Sequence, residues 1–281
     1  MTQRRARIVA VTNQKGGVGK TTTALNLAAG LAELKRRVLL VDIDPQGNAT
    51  TGSGIELGDD QNTLCEVLLG ECAISEAAVP VEAMGFDLVP ANGDLTAAEV
   101  ALMDEDDRAT VLRGALANAA SRYHHIIIDC PPSLNVLTLN ALTAADSVLI
   151  PMQCEYYALE GLTALLGTIE QIQDSVNPEL EIEGLVRTMF DIRNNLSGAV
   201  SRQLGEHFGD KLYATVIPRN VRVAEAPSYG QSVIHYDRDS RGAVAYLGLA
   251  GEYLRRMGEA AKTPSATAQD MAEDQRRIQE S

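Results

Sequence analysis

A run of nine residues near the N-terminus combines glycines, lysines and threonines in an order suited to binding phosphate groups. The run consists of Gln14, Lys15, Gly16, Gly17, Val18, Gly19, Lys20, Thr21 and Thr22. Glycines let consecutive backbone N–H groups turn toward one anion, and a helix that begins just after the loop adds a partial positive charge. We expect the ammonium of Lys20 to reach the terminal phosphates of a nucleotide and the hydroxyl of Thr21 to bind Mg²⁺. The run therefore predicts a nucleotide site.

The start of this loop departs from the general phosphate-loop pattern. That pattern places a glycine five positions before Gly19, where this chain has Gln14 followed by a second lysine, Lys15. A chance glycine-rich turn would have to coincide with an apolar strand before it and an amphipathic helix after it. We therefore interpret the run as a deviant phosphate loop.

Two carboxylates follow apolar, strand-like runs and are candidates for catalysis and metal binding. Asp44 comes after the run over residues 38–42, and Asp129 ends the run over residues 125–129. Open α/β folds bind ligands at the carboxyl ends of their strands, so both acids should lie near the loop. Asp44 is predicted to orient the attacking water, because phosphoryl transfer depends on positioning, and Asp129 to hold Mg²⁺ directly or through a water. A purely structural role as loop caps stays open for Asp42 and Asp129 taken singly, because Asp is common in turns.

Short apolar runs alternate with longer helical patterns along most of the chain. This alternation predicts a single-domain α/β fold with a mostly parallel twisted sheet and helices on both faces. Strands are predicted over residues 7–12, 38–42, 86–90, 125–129, 147–151, 185–190 and 213–217. Helices are predicted over residues 20–33, 107–120, 159–172 and 242–257. The domain should span residues 1–260, and the polar composition of residues 261–281 predicts a disordered tail.

Composition restricts the class of partner. The net charge is −14, yet fourteen acids lie between Glu56 and Asp107, and no Lys or Arg occurs between Arg37 and Arg108. The remaining charges balance, so a local basic surface for DNA is compatible with the acidic total. The absence of Trp and an aromatic share of 4% argue against a single-strand binder that stacks bases. No signal-peptide pattern and no membrane-length apolar run is found, so a cytoplasmic protein without a membrane partner is predicted.

Several motifs resemble the ParA family of partition ATPases, especially its chromosomal Soj-type branch. The stretch KGGVGKTT is similar to the deviant Walker A signature shared by ParA proteins, MinD-type division-site selectors, nitrogenase iron proteins and arsenite-pump ATPases. The narrower resemblance rests on residues 41–50, 126–134, 151–162 and 216–237, and it covers the chain up to about Met257. It implies the deviant P-loop NTPase fold and an ATPase that uses ATP and Mg²⁺.

The resemblance also implies roles for individual residues at the nucleotide. Lys15 would reach across a nucleotide-sandwich homodimer to the partner's phosphates, so that Lys15, Lys20 and Asp44 form the catalytic set. Asp129 would act on Mg²⁺ through a water, together with Thr21. The adenine would be contacted by Pro218 and Asn220.

DNA and protein partners follow from the same resemblance. The ATP-bound dimer would bind double-stranded DNA non-specifically through Arg193 and Arg222, and a ParB-type centromere-binding partner would stimulate hydrolysis. Eight bases and six acids lie between residues 185 and 241, a mild excess that ordinary solvated arginines would explain equally well. Few residues precede the first predicted strand, so an N-terminal helix-turn-helix domain and specific operator binding are not expected. A nucleoid-associated protein is predicted.

Other functions remain open at this point. A MinD-like membrane ATPase would need a basic amphipathic C-terminal helix, and the tail offers only Met271 and Ile278 as large apolar residues. An iron–sulfur reductase-type ATPase would bridge a cluster between subunits with cysteines such as Cys130 and Cys154, although the motifs around both resemble the partition family. A scaffold that holds ATP without turnover is disfavoured by Asp44.

Overall fold

The computed structural model describes residues 5–156 and 158–259. The strands are β1 (Arg7–Val11), β2 (Val38–Asp42), β3 (Val79–Val81), β4 (Phe86–Val89), β5 (His125–Asp129), β6 (Ser147–Gln153), β7 (Glu181–Phe190) and β8 (Leu212–Pro218). The α-helices are α1 (Lys20–Glu33), α2 (Asn48–Gly52), α3 (Leu64–Leu68), α4 (Ile74–Ala77), α5 (Leu95–Met103), α6 (Val111–Ala119), α7 (Val136–Ala144), α8 (Ala158–Ser175), α9 (Asn195–Phe208), α10 (Val221–Glu225), α11 (Val233–Tyr236) and α12 (Arg241–Arg256). Short 3₁₀ turns cover Gly209–Lys211 and Ala226–Tyr229. The predicted tail, residues 261–281, lies outside the described residues.

The strands form one eight-stranded sheet in the order β3-β4-β2-β5-β1-β6-β7-β8. Every neighbouring pair is parallel except β3 and β4. The mostly parallel sheet is therefore confirmed. Because β4 and all the strands paired in parallel run in one direction, the loops that follow them emerge at one edge of the sheet, and β1 lies near its centre between β5 and β6.

Alternate residues of the central strands pack into two separate cores. On β1, Ile8 and Ala10 join the layer that contains helices α3 to α9, whereas Val9 and Val11 join the layer that contains α1, α11 and α12. Strands buried on both faces are continuous apolar runs, which is the pattern that the sequence of β5 shows. Helices on both faces of the sheet are therefore confirmed.

The structure differs from the sequence prediction at strand ends, in short elements and in helices α5, α7 and α9, which are not among the predicted helices. Strand β3 was not predicted, because its central residue, Pro80, has no N–H to donate; it pairs antiparallel with β4 at the sheet edge, where proline is tolerated. Helix α6 starts four residues later than predicted, since a turn closed by Thr110 N donating to Asp107 O at 2.8 Å precedes it. Strand β7 starts earlier than predicted, at Glu181, because its first residues alternate in polarity.

Candidate functional site

The loop between β1 and α1 is held open by contacts from neighbouring strands. Gly17 has a φ of 73°, a left-handed conformation that favours glycine. Gln153 Nε2 donates to Gly17 O at 3.1 Å, and Thr188 Oγ1 donates to Val18 O at 2.7 Å. With these carbonyl groups tied to β6 and β7, the backbone N–H groups of residues 16–22 have no acceptor within the described part of the chain. Unpaired donors at a helix N-terminus are the arrangement that binds a phosphate group.

The start of the loop is fixed by side chains rather than by a glycine. Asn13 donates from Nδ2 to Pro151 O at 2.9 Å and accepts from Lys15 N at 3.0 Å. Gln14 Nε2 donates to the hydroxyl of Thr168 on α8 at 3.2 Å. An added Cβ at Gly16 would have no atom within 4 Å. The deviation at Gln14 thus anchors the loop to a helix while leaving its glycines open to a ligand.

Lys20 begins α1 and is a largely buried cation. Its Nζ donates to the carbonyl oxygen of Lys15 at 3.2 Å, and it forms no ion pair with any described residue. Burial lowers the pKa of Lys20, while the charges of Asp129, Cys130 and Asp44 act in the opposite direction. An ammonium has three donors, so at least two remain for phosphate oxygens.

Asp129 ends β5 and is completely buried, and neither of its carboxylate oxygens accepts a well-aligned hydrogen bond from a described residue, although the hydroxyl of Thr21 lies close enough to act on it. Burial raises the pKa of Asp129 well above its usual range; Asp42, its neighbour in register on β2, raises it further, and the hydroxyl of Thr21 lowers it. Buried carboxylates without partners are rare because they lose hydration without compensation. A hard cation or a metal-bound water beside Thr21 would supply the missing partner, so these residues fit a Mg²⁺ site.

The turn after β2 positions Asp44. The buried carboxylate of Asp42 accepts from the backbone N and the hydroxyl of Thr50, both at 2.8 Å, and from Asp44 N at 3.2 Å. Burial raises the pKa of Asp42 to about 6, against the hydrogen bonds from Thr50 that lower it. The carboxylate of Asp44 accepts from Gln46 N at 3.0 Å and is 7% exposed. Asp42 therefore holds the turn, and Asp44 lies just after β2 at the sheet edge that carries the phosphate loop.

Lys15, predicted to act across a dimer, makes an ion pair within its own chain. Its Nζ lies 2.6 Å from Oε2 of Glu155, which follows β6. Both side chains are about half exposed, so the pair is in contact with solvent. The lysine is therefore available at the surface, with a carboxylate as its present partner.

The residues predicted to contact adenine lie at the same edge of the sheet. Pro218 ends β8, and Asn220 caps α10 by accepting from the backbone N of Arg222 at 2.9 Å and of Val223 at 3.3 Å. The Nδ2 of Asn220 has no hydrogen-bond partner among the described residues. It is therefore free to donate to a ligand.

The two arginines predicted to touch DNA follow neighbouring strands but make no recorded contact with each other. Arg193, after β7, is highly exposed and forms a two-point pair with Asp191 at 2.9 and 2.8 Å. Arg222, after β8, lies 3.0 Å from Glu225 and 3.2 Å from Asp237. Each guanidinium would have to exchange a carboxylate for a phosphate in order to bind DNA.

Several residues that shape the site were not singled out from the sequence. Gln153 lies within the segment 151–162 that carries the family resemblance. The resemblance therefore indicates that this segment matters, but it does not predict the hydrogen bond from Gln153 to Gly17 O. Thr188 and Thr50 carry no such signal, because each acts through a contact with a residue distant in sequence. Asn13 could have been found from its place immediately before the loop.

The structure describes the cysteines of the iron–sulfur alternative and the helices that bear on the membrane alternative. Cys130 and Cys154 are both buried free thiols, and burial raises the pKa of Cys154 to about 11. No group of three His, Cys, Asp or Glu side chains that could hold a metal is found in residues 5–156 and 158–259. In the same residues no helix is long and apolar enough to cross a bilayer. Met271 and Ile278, on which the membrane alternative depended, lie outside the described residues.

A mostly parallel sheet with an open glycine-rich loop between its central strand and the next helix defines a P-loop nucleotide-binding protein. A family model described as an AAA domain matches residues 6–182. ParA of Caulobacter vibrioides is 54% identical over 252 residues, covering 89% of this chain and 94% of its own, and the chromosome-partitioning ATPase Soj of Thermus thermophilus is 48% identical over 260 residues, covering 92% and 100%. The chain belongs to the ParA/Soj family of chromosome-partitioning ATPases.

Solved structures agree with this assignment of the fold. The structure of cobyrinic acid a,c-diamide synthase from Mycobacterium smegmatis with bound ADP and magnesium is 40% identical in sequence and superimposes with a TM-score of 0.79. The match covers 93% of this chain and 99% of that one. The single-domain α/β architecture is therefore shared with a protein whose nucleotide complex is known.

Proposed function

We propose that this protein is an ATP-dependent dimerising switch that binds DNA non-specifically in its ATP state and hydrolyses ATP slowly. It would drive chromosome or plasmid partition together with a ParB-type partner, as a cytoplasmic, nucleoid-associated protein. The observation that carries the proposal is the pair of incompletely satisfied buried charges, Lys20 and Asp129, beside an open phosphate loop. A buried cation and a buried acid that form no ion pair with a described residue match the opposite charges of a phosphate chain and its metal ion.

Different residues of the site would bind the phosphates, hold the metal ion and orient the attacking water. The free N–H groups of residues 16–22 and the ammonium of Lys20 would bind the β- and γ-phosphates. Thr21 and Asp129 would hold Mg²⁺, which when bound neutralises charge on the phosphate oxygens. Asp44, fixed by its turn, would orient the attacking water, because phosphoryl transfer depends mainly on positioning and electrostatic stabilisation.

Dimerisation would begin at Lys15. This lysine is held by Glu155 in the single chain, and its transfer to a partner's phosphates would couple nucleotide state to association. A switch of this type shifts populations only through contacts that differ between states, and the γ-phosphate supplies that difference. The closed dimer would then align Arg193 and Arg222 of both subunits toward DNA.

The proposal is tested by measuring ATPase activity with DNA and a candidate ParB-type partner, alone and together. We expect the wild type to show more than additive stimulation and Lys15→Gln to show none. Lys211→Gln is the matched control, because Lys211 is an exposed lysine at the start of β8, away from the loop edge. Equal stimulation of all three proteins would contradict the dimer mechanism.

The role of Asp44 has its own test. We expect Asp44→Ala to bind ATP with at most a few-fold change in affinity while losing most hydrolysis, because the residue acts on the water rather than on the phosphates. Unchanged hydrolysis in a variant that still binds ATP would show that another group orients the water.

A further inference from the structure

Helix α5 has an apolar face that no described residue covers. Its inner face, formed by Leu95, Ala98 and Leu102, is buried in the core. Its outer face carries Val100, 64% exposed, and Met103, 62% exposed, with small alanines beside them. A helix that is apolar on all sides is ordinarily buried, so the outer face of α5 has the composition of a contact surface.

Negative charge is concentrated at one end of this face. Four consecutive acids, residues 104–107, follow the C-terminal end of α5, where the helix dipole already places a partial negative charge. Arg108 donates from Nη1 to Met103 O at 3.0 Å and is the first cation of the chain after Arg37. With one arginine against four acids, this helix end stays negative, so it would attract a cation from another molecule.

Hydrogen bonds join α5 to both acidic loops of the nucleotide site. Asn135, which follows the Asp129 loop, donates from Nδ2 to Oε1 of Glu99 on α5 at 2.8 Å. On the other side, Ala91 N, in the segment that leads into α5, donates to Oγ1 of Thr50 at 2.9 Å. The same hydroxyl donates to Asp42, which holds the turn of Asp44. A molecule bound on α5 would therefore contact elements that reach the candidate metal ligand and the candidate water-orienting residue.

We propose that the outer face of α5 is the docking surface for a cationic amphipathic segment of a partner protein. We call it the α5 surface and define it by Ala97, Val100, Ala101, Met103, the neighbouring exposed Leu134 and the acids at 104–107. The apolar side chains would pack against the apolar stripe of the segment, and the acids would pair with its Lys or Arg residues. A second copy of this chain would bring the same acids together, and DNA would be repelled, so charge selects a basic peptide.

The α5 surface is where we expect the ParB-type partner of the proposed function to bind. Only the identity of that partner rests on the proposed function. The chemistry of recognition depends on the surface alone. Binding should therefore occur without nucleotide and without DNA, so that a failure of the switch mechanism and a failure of the docking proposal give different results.

The test uses a fluorescein-labelled 18-residue synthetic peptide with Leu at helical spacing on one side and Lys on the other, read by fluorescence anisotropy. A peptide of identical composition, in which the Leu residues are scattered around the helix, is the ligand control. Val100→Ser/Met103→Ser removes the apolar contact, and Asp104→Asn/Glu105→Gln/Asp106→Asn/Asp107→Asn removes the charge. The matched control, Glu160→Gln/Glu170→Gln/Asp174→Asn/Glu179→Gln, makes the same change in net charge at exposed acids on and after α8.

We expect the amphipathic peptide to bind wild type at least tenfold more tightly than the scattered peptide. Each α5 variant should lose at least fivefold in affinity, and the α8 control should lose less than twofold. Affinity for wild type should fall with added salt, and the slope should be smaller for the variant neutralised at 104–107. All substituted positions are exposed, so thermal unfolding should show that both variants remain folded.

Three results would overturn the proposal. The first is equal affinity for the two peptides, and the second is equal loss in the α5 and α8 charge variants. The third is a change in dimer fraction for Val100→Ser/Met103→Ser, measured by sedimentation, with peptide affinity unchanged. That last result would assign the face to contact between copies of the chain.

Discussion

Asp129 shows how one residue can weaken the free protein and prepare it for a ligand. Its carboxylate is buried without a well-aligned hydrogen bond from a described residue, and its pKa is raised well above the usual range by burial and by Asp42. The unfolded chain ionises at a pKa of about 3.9. The folded state therefore binds the proton more tightly, and stability should fall as pH rises from about 4 through the raised folded value.

We predict that Asp129→Asn stabilises the ligand-free protein at pH 8 by on the order of 1–3 kcal/mol, because it removes a buried charge without a partner. The gain should shrink as pH approaches 4, where the wild-type carboxyl is neutral. The same variant should lose the Mg²⁺-dependent part of the rise in Tm that ATP gives to wild type. Thermal unfolding across pH, with and without Mg²⁺ and ATP, measures both effects.

The control for this prediction is Asp87→Asn. Asp87 is only half-buried and accepts from the hydroxyl of Tyr123 at 2.8 Å, so its charge is compensated. It should give no stabilisation at pH 8. A stabilisation equal to that of Asp129→Asn would show that general charge reduction in an acidic protein is responsible.

Glu155 provides a second prediction at the residue scale. Its ion pair with Lys15 is about half exposed, and such pairs contribute roughly 0–1 kcal/mol. Glu155→Gln should therefore change Tm by no more than about 2 °C. Because Lys15 would have to leave Glu155 to reach a partner's phosphates in the proposed dimer, the variant should raise the ATP-dependent dimer fraction at a fixed protein concentration, measured by sedimentation. A lower fraction would instead place Glu155 in the dimer contact itself.

How much of the site the sequence predicts depends on how local its residues are. The contiguous run from Gln14 to Thr22 encodes loop, helix start and candidate ligands together, so its position could be read directly. Thr188 is different, because its bond to Val18 O joins β7 to the loop across 170 residues. No local pattern encodes such a contact.

At the scale of elements, the packing of α12 against α10 links the core to the candidate adenine site. A Cβ on Gly242, at the start of α12, would come within 2.2 Å of Cγ2 of Val223 and 3.5 Å of the side chain of Asn220. Only the absence of a side chain lets the two helices approach this closely. The position of Asn220 therefore depends on a glycine 22 residues further along the chain.

We predict that Gly242→Ala weakens ATP binding by about tenfold or more, because Val223 and Asn220 must move, and lowers stability by roughly 1–3 kcal/mol. Gly248→Ala, on the same helix, is the matched control. Its Cβ would meet Thr215 at an ordinary 3.8 Å, so the helix should gain about 0.5–1 kcal/mol and ATP affinity should stay the same. Titration with a fluorescent ATP analogue measures the affinities. Equal affinities of the two variants would exclude the link.

Periodicity and length led to the prediction of most long elements, although the 14-residue helix α9 was missed. The central strands and helices α1, α8 and α12 are long and regular, and their bounds differ from prediction by a few residues at most. Helix α5 has apolar residues on all sides and so lacks the periodicity that would have marked it. Apolar residues on both faces of α5 prevented its prediction from sequence. The same residues make its outer face a candidate contact surface.

At the scale of the whole molecule, the proposed binding of DNA would have to overcome a net charge of −14. The acids concentrate in the half of the sheet that carries α3 to α6, whereas Arg193 and Arg222 follow β7 and β8 at the other end of the strand order. In the proposed function, this separation would let the edge with the two arginines approach a phosphate backbone while the acidic half stays away. It also predicts that association will weaken steeply with salt, since each neutralised phosphate contributes about 0.9 to the slope of log K against log salt.

Asp191 allows this prediction to be tested in both directions. It holds Arg193 through two hydrogen bonds, and Asp191→Asn keeps the acceptor for Arg193 N while removing the competing charge. We expect Asp191→Asn to raise ATP-dependent DNA affinity by about two- to fivefold, and Arg193→Ala to lower it by a similar factor or more with a smaller salt slope. Arg122→Ala removes an exposed arginine just before β5, at the opposite edge of the sheet, and should have little effect. All three changes alter the net charge by one unit. If affinity followed net charge alone, Arg193→Ala and Arg122→Ala would weaken binding equally, and this result would contradict an interface at Arg193. Opposite shifts for the variants at residues 191 and 193, with no response at residue 122, would support it.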